Sequence, residues 1–76
     1  MMITVKLVGL LAGAAGFKEK ALEASDGTTA WDVFSQLALP VGEQWTRISV
    51  NNRLAAKSQI LKDGDVILFF PIGGGG

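Results

Sequence analysis

The sequence contains no cysteine and no histidine among its 76 residues. This absence excludes thiol nucleophiles and disulfides, and it removes most zinc sites and the side chain that most often serves as a general base. We therefore expect no bound metal or cofactor, and we predict that the chain is not an enzyme by itself. A chain without cysteine is also compatible with a reducing cytoplasm, where we expect the protein to reside.

Charge is scarce and balanced. Seven Lys and Arg offset seven Asp and Glu, and charged residues make up only 18% of the chain. Because neither sign forms a run, we expect no nucleic-acid partner and no binding to an anionic membrane. The hydrophobic fraction of 49% excludes a disordered chain. A chain of this length forms one domain, which we assign to residues 1–70, followed by a tail at residues 71–76.

Long hydrophobic runs are missing as well. The run LVGLLAGAAG after Lys6 is well short of the ~20 apolar residues that cross a bilayer. It imitates the apolar part of a cleaved signal peptide, which stays open as an alternative. Cleavage would remove the first strand of a small domain, so a strand followed by a turn or short helical piece at residues 9–16 is the favoured interpretation.

Alternating hydrophobicity predicts four strands. Ile3, Val5 and Leu7 alternate with polar residues, as in a half-buried strand. Residues 17–24 alternate again and suggest a return strand. The segments RISV and VILFF, at residues 47–50 and 66–70, predict two more strands that follow a helix.

The segment SDGTTAWDVFSQLAL predicts the one clear helix. Thr29 can cap it, and Asp32 lies three residues later, as in a capping box. Apolar residues at helical spacing form a stripe that would face a core, namely Ala30, Val33, Phe34 and Leu37. Pro40 is expected to stop the helix. The order of elements predicts an α+β fold in which one helix packs across a mixed sheet of four to five strands.

The chain ends in FFPIGGGG, and this tail carries the chemistry that the rest of the sequence lacks. Pro71 is expected to end the last strand. Glycine has no Cβ, so such a tail fits a narrow tunnel in another protein. The α-carboxylate of Gly76 is unhindered, and a nucleotide-dependent enzyme could convert it into an acyl-adenylate that sulfur or an amine attacks. A frayed end or a cloning remnant is the competing interpretation.

The whole chain resembles the MoaD/ThiS family of ubiquitin-like β-grasp sulfur carriers. The matching segments are ITVKLV, GTTAWDVF, ISVNNRL, LKDGDVILFF and the closing proline followed by Gly75 and Gly76. The FFP sequence is more similar to the molybdopterin branch, which includes the small subunit of molybdopterin synthase, than to the thiazole branch. The terminal glycine run departs from the family pattern at Gly73 and Gly74, which make it longer than usual.

The resemblance implies a β-grasp fold with a flexible glycine tail and a function as a sulfur carrier. An ATP-using adenylating enzyme would activate Gly76, which would become a thiocarboxylate, and the other tail glycines, Gly73, Gly74 and Gly75, would give access to it. The implied docking region contains Phe69, Phe70, Pro71 and Ile72. The implied acceptor is the molybdopterin synthase large subunit or another sulfur-acceptor enzyme, and the free carrier would be a monomer.

Two alternatives stay open at this point: a thiazole-pathway carrier, or a protein modifier that is conjugated through Gly76. A binding adaptor with an inert tail is a third. Alternation places Phe69 and Phe70 on opposite faces of the last strand without deciding which one is buried. Trp31 and Trp45 are expected to be packing residues, and Asp63 and Asp65 are expected to form a solvated turn rather than a metal site.

Overall fold

The structure is a computed structural model, and it describes residues 1–72 apart from the side chain of Glu43. The fold is a five-stranded mixed sheet with one main helix. In chain order the elements are β1 (Met2–Leu7), α1 (Leu10–Ala15), β2 (Glu19–Glu23), α2 (Ala30–Leu37), a 3-10 turn (Glu43–Trp45), β3 (Thr46–Val50), β4 (Arg53–Ala55) and β5 (Val66–Pro71). The strand order across the sheet is β2-β1-β5-β3-β4. β1 and β5 are parallel, and the other neighbours are antiparallel. The α+β, ubiquitin-like fold class is confirmed.

The helix α2 begins where its capping residues predict. Thr29 Oγ1 accepts a hydrogen bond from Asp32 N at 3.1 Å, and Thr29 N donates to Asp32 Oδ2 at 2.9 Å. This reciprocal pair satisfies two backbone donors that an uncapped helix leaves without partners. The helix ends at Leu37, because Ala38 takes a left-handed conformation with φ 50°, two residues before Pro40.

The core lies between α2 and one face of the sheet. It contains twelve buried apolar residues from the strands, both helices and the loop before β5: Ile3, Val5, Leu7, Leu11, Ala30, Val33, Phe34, Ile48, Val50, Leu61, Ile67 and Phe69. The ring of Phe34 lies 4.8 Å from that of Trp31 and 5.1 Å from that of Phe69, measured between centroids. Trp31 is therefore a packing residue, as expected. Trp45 is 57% exposed, so its assignment as a packing residue was wrong.

A hairpin adds the strand that sequence patterns did not indicate. Val50 pairs with Arg53, so Asn51 and Asn52 form a two-residue turn, with φ of 52° and 70°. Asparagine tolerates this left-handed backbone better than most residues, which explains the Asn-Asn pair. β4 is only three residues long and carries no full alternation, so its sequence alone gives little signal.

The turn before β5 is anchored to that hairpin. Asp65 is 7% exposed, and its carboxylate accepts hydrogen bonds from Asn51 Nδ2 at 2.9 Å and from Lys62 N at 2.8 Å. Asp63 remains exposed and accepts from Met2 N at 2.7 Å. The predicted turn is present, but the expectation that both carboxylates are solvated was wrong for Asp65, because backbone and amide donors surround it.

The segment after β1 forms a short helix, which is one of the two forms expected for residues 9–16. Leu11 of α1 is fully buried, and Gly16 ends the helix with φ 84°. Neither α1 nor α2, the helices within residues 1–72, is long and apolar enough to span a bilayer.

Candidate functional site

The last strand leads directly to the glycine tail. β5 lies between β1 and β3, and its pairing with β1 ends at Leu7 and Phe69. Pairing with β3 continues to Thr46 and Pro71. Ile72 N then donates to Trp45 O at 2.9 Å. The sheet thus holds the chain as far as Ile72, whereas the sequence predicted that the strand ends at Phe70.

Pro71 is tolerated inside this strand because of where its nitrogen points. The nitrogen of Ile72 faces β3, and successive backbone N–H groups of a strand point to opposite edges. The nitrogen of Pro71 therefore faces the other edge, beyond the point where β1 has ended at Leu7. No ladder hydrogen bond is lost there, so the proline does not interrupt the strand.

The two phenylalanines of β5 lie on opposite faces of the sheet. Phe69 is fully buried in the core against Phe34. Phe70 is half-buried and lies on the face away from α2, and Pro71 and Ile72 are half-buried too. Phe69 was therefore wrongly included in the docking region, because a side chain with no exposed surface cannot contact a partner. Phe70, Pro71 and Ile72 keep that assignment as a prediction.

The sheet face away from α2 forms an apolar surface next to the start of the tail. Register places Leu68 beside Ser49, Ser49 beside Leu54, and Phe70 beside Arg47. Leu54 is 72% exposed. We call this surface the open face, and it consists of the outer side chains of β3, β4 and β5: Arg47, Ser49, Leu54, Val66, Leu68 and Phe70.

Charge on this side of the sheet is unevenly distributed. On β1 and β2, Lys6 Nζ lies 3.9 Å from Glu19 Oε1, and both side chains are about half exposed or more, at 47% and 63%. Such an exposed pair contributes little to stability. On the open face, Arg47 is the one charged side chain among the six. A partner that docks there meets four apolar side chains, Ser49 and the cation of Arg47, while Lys6 of β1 lies beside Leu68 at the margin of the open face.

The terminal residues of the predicted site lie outside the described part of the chain. This applies to Gly73, Gly74, Gly75 and Gly76, whose assigned functions stay predictions. Within residues 1–72, no three His, Cys, Asp or Glu side chains gather into a metal site. A groove of about 630 Å³ lies along α1, lined mostly by apolar and small residues.

Sequence reasoning missed three residues of this region. Arg47 alternates with Ile48 in RISV, so the period of two could have placed it on the outer face. Leu54 gave no such signal, because β4 was not predicted. Trp45 was assigned to packing, yet its backbone contacts the last described residue and its side chain is exposed.

Comparison with known proteins places these features in context. A model of the ThiS family matches residues 5–76. No curated protein matches the chain. Among solved structures, SAMP1 from Haloferax volcanii is 24% identical, with a TM-score of 0.81 and coverage of 100% of both chains.

Two further solved structures are similar to this chain. A putative molybdopterin converting factor, subunit 1, from Pyrococcus furiosus is 25% identical, with a TM-score of 0.79 and coverage of 92% of this chain and 95% of that one. A chain of the complex of subunits 1 and 2 of the molybdopterin-converting factor from Helicobacter pylori is 25% identical, with a TM-score of 0.67 and coverage of 93% of each chain. These similarities extend over nearly the whole fold described above.

Proposed function

This chain belongs to the ThiS family, and from that membership we propose that it is a sulfur carrier that works through a thiocarboxylate at Gly76. The observation that carries the proposal is the extent of the family match, which runs to residue 76 and so includes all four terminal glycines. The resemblance to MoaD/ThiS proteins is thereby confirmed, and the sulfur chemistry is the proposal that rests on it.

The proposed chemistry has two steps on a partner enzyme. A carboxylate oxygen of Gly76 attacks the α-phosphorus of ATP, and pyrophosphate leaves. A sulfide nucleophile then attacks the carbonyl carbon of the acyl-adenylate, AMP leaves with the bonding electrons, and a thiocarboxylate remains. The activating enzyme binds and uses the ATP. The carrier contributes the carboxylate and a tail without side chains, so it is a co-substrate rather than a catalyst.

The end of β5 supports this proposal through its geometry. The sheet holds the chain to Ile72, and four residues of any polypeptide reach at most ~14 Å. An activating enzyme must therefore bring its active site within that distance of Ile72. The open face begins beside this point, at Phe70, and offers the surface on which such an enzyme can dock.

We further propose that the sulfur enters molybdopterin synthesis. Two similar structures bear the name of molybdopterin-converting factor subunits, and one of them is a complex of subunits 1 and 2. The proposed acceptor is accordingly a large subunit of the molybdopterin synthase type. The thiazole pathway stays an alternative, and a carrier loaded with sulfur separates the two: sulfur should pass to the pterin precursor on the large subunit and not to a thiazole synthase.

A second candidate function is protein modification, favoured by the likeness in fold to SAMP1, whose name denotes a small archaeal modifier protein. Here a neutral lysine amine on a target attacks the carbonyl carbon of the same acyl-adenylate, AMP leaves with the bonding electrons, the amine loses a proton, and an amide with Gly76 remains. Digestion of cellular proteins with trypsin would then leave residues 63–76 as a branch on the modified lysines, because Lys62 is the last Lys or Arg in the sequence. A search that finds no such branch in cells expressing the protein argues against this function.

Mass spectrometry tests the main proposal. The purified protein is incubated with ATP, a ubiquitin-activator-like adenylating enzyme and sulfide, and one terminal oxygen should be replaced by sulfur. A terminus that remains an ordinary carboxylate, while a known carrier is converted in parallel, contradicts the proposal. Because adenylation needs ATP, we propose that the protein works in the cytoplasm. We also expect the free carrier to be a monomer.

A further inference from the structure

We propose that Arg47 on the open face recognises a carboxylate on the activating enzyme, so that docking combines an apolar contact with one ion pair. This inference rests on the proposed function and specifies the partner of that site. The activating enzyme is the relevant partner because the sulfur carrier and the protein modifier both begin with adenylation of Gly76. A partner needed in both cases has to recognise the folded domain as well as the tail.

The position of Arg47 is the first observation behind this inference. β3 pairs with β5 in a register that sets Arg47 directly opposite Phe70, two residues before Ile72. Side chains opposite each other on one sheet face lie in contact range. Leu68 and Leu54 follow along the same face, joined through Ser49. The cation therefore lies at the tail end of an apolar strip.

The second observation is the lack of a clear structural function for this cation. Arg47 is exposed, and no hydrogen bond or ion pair joins its guanidinium to a side chain described in residues 1–72. Lys6, by contrast, has Glu19 within 4 Å on the same side of the sheet. A charge placed among apolar residues without helping the fold is suited to select a partner, since an apolar strip alone would attract many surfaces.

The partner chemistry follows from the side chain. Arginine presents a planar set of donors that matches a carboxylate in two parallel hydrogen bonds. We infer a partner surface with an apolar centre for Leu54, Leu68 and Phe70, and with an Asp or Glu facing Arg47. A different protein that carries Lys or Arg at that place would be repelled by Arg47.

Kinetics of carrier-dependent ATP–pyrophosphate exchange test the inference. The enzyme is the adenylating enzyme of the same organism, and the carriers are wild type, Arg47→Glu, Arg47→Lys and Arg53→Glu. Arg53 is the matched control, because it pairs with Val50 and so lies on the sheet face opposite to Leu54. We expect Arg47→Glu to raise the KM for the carrier by about tenfold or more, with kcat changed much less. Arg47→Lys keeps the positive charge but loses the paired hydrogen bonds, so its KM should lie between those of wild type and Arg47→Glu, and Arg53→Glu should match wild type.

The possible outcomes distinguish the docking inference from the proposed function on which it rests. Exchange with equal KM for wild type and Arg47→Glu overturns the docking inference and leaves the proposed function standing. No exchange with the wild-type carrier overturns the proposed function and this inference with it. If wild type sediments as a dimer and Arg47→Glu as a monomer, the open face binds a second copy, which also overturns the inference. Urea unfolding of the four proteins checks that every variant is folded.

Discussion

Asn51 and Asp65 are 14 residues apart in the sequence and are joined by a hydrogen bond of 2.9 Å between Asn51 Nδ2 and Asp65 Oδ1. Asn51 Oδ1 also accepts from Val66 N at 2.9 Å. One amide side chain thus bridges the β3–β4 hairpin and the start of β5. These bonds orient the strand that leads to the tail.

Replacing Asp65 should therefore destabilise the fold. Asp65→Ala leaves the donors Asn51 Nδ2 and Lys62 N without their acceptor in a partly buried place, and we expect a loss of about 2 kcal/mol or more in the free energy of unfolding. Urea denaturation measures it. Asp26→Ala, in an exposed turn, is the control and should stay within about 0.5 kcal/mol of wild type. Equal stability of the two variants would contradict the assigned function of Asp65.

The cap of α2 gives a second prediction. Thr29→Ala removes the oxygen that accepts from Asp32 N, and the expected cost is about 1 kcal/mol. Thr28→Ala is the neighbouring control, because Thr28 accepts from Leu61 N through its backbone carbonyl, which the substitution keeps. Thermal unfolding by circular dichroism compares the two, and a larger loss at Thr28 would refute the capping assignment.

Two glycines of the α1 region should respond in opposite directions. A Cβ at Gly13 meets open space, and the residue is helical, so Gly13→Ala should stabilise the protein by about 0.5–1 kcal/mol. Gly16 has φ 84°, which alanine adopts only with strain, so Gly16→Ala should destabilise it. Chemical denaturation of both variants gives the signs, and two changes of the same sign would be inconsistent with the backbone of α1.

The two phenylalanines of β5 should separate stability from docking. Phe69→Ala empties a fully buried position, and the expected loss is about 3–5 kcal/mol. Phe70→Ala removes a half-buried side chain on the open face, and we expect the free energy of unfolding to fall by less than about 2 kcal/mol. The KM of the activating enzyme for this carrier variant should rise. Unfolding curves and pyrophosphate exchange report the two effects. A stability loss at Phe70 as large as that at Phe69 would place Phe70 in the core.

Shortening the tail should abolish the chemistry and spare the fold. Sheet pairing in the described structure ends at Ile72, so removal of all four residues from Gly73 to Gly76 should change the free energy of unfolding by less than about 0.5 kcal/mol. The shortened protein should yield no thiocarboxylate in the mass-spectrometric assay. Removal of only two of the four glycines leaves a chain that still ends in Gly-Gly, and this variant measures whether the added length of the tail matters for activation. Thiocarboxylate formation without any of the four glycines would show that the glycine tail is not needed.

Much of the architecture could be predicted because its signals are local. The alternation in β1, the capping pair Thr29 and Asp32, and the turn before β5 each depend on residues within a few positions of one another. β4 could not be predicted in this way, because three residues at a sheet edge gain their strand structure from pairing with β3. The end of β5 was placed one residue early, because whether Pro71 breaks a ladder depends on which strand its nitrogen faces.

The same distinction between local signals and tertiary contacts applies to the candidate site. The sequence alone contains the terminal glycines, the proline before them and the lack of cysteine and histidine. These features already predicted a function that depends on activation of the C-terminal carboxylate. Which of Phe69 and Phe70 is buried, and that Arg47 and Leu54 share a face with Phe70, only the tertiary structure decided. The physical reason is that periodicity gives two faces of a strand, while the packing of α2 against one of them determines which face is core and which is open to a partner.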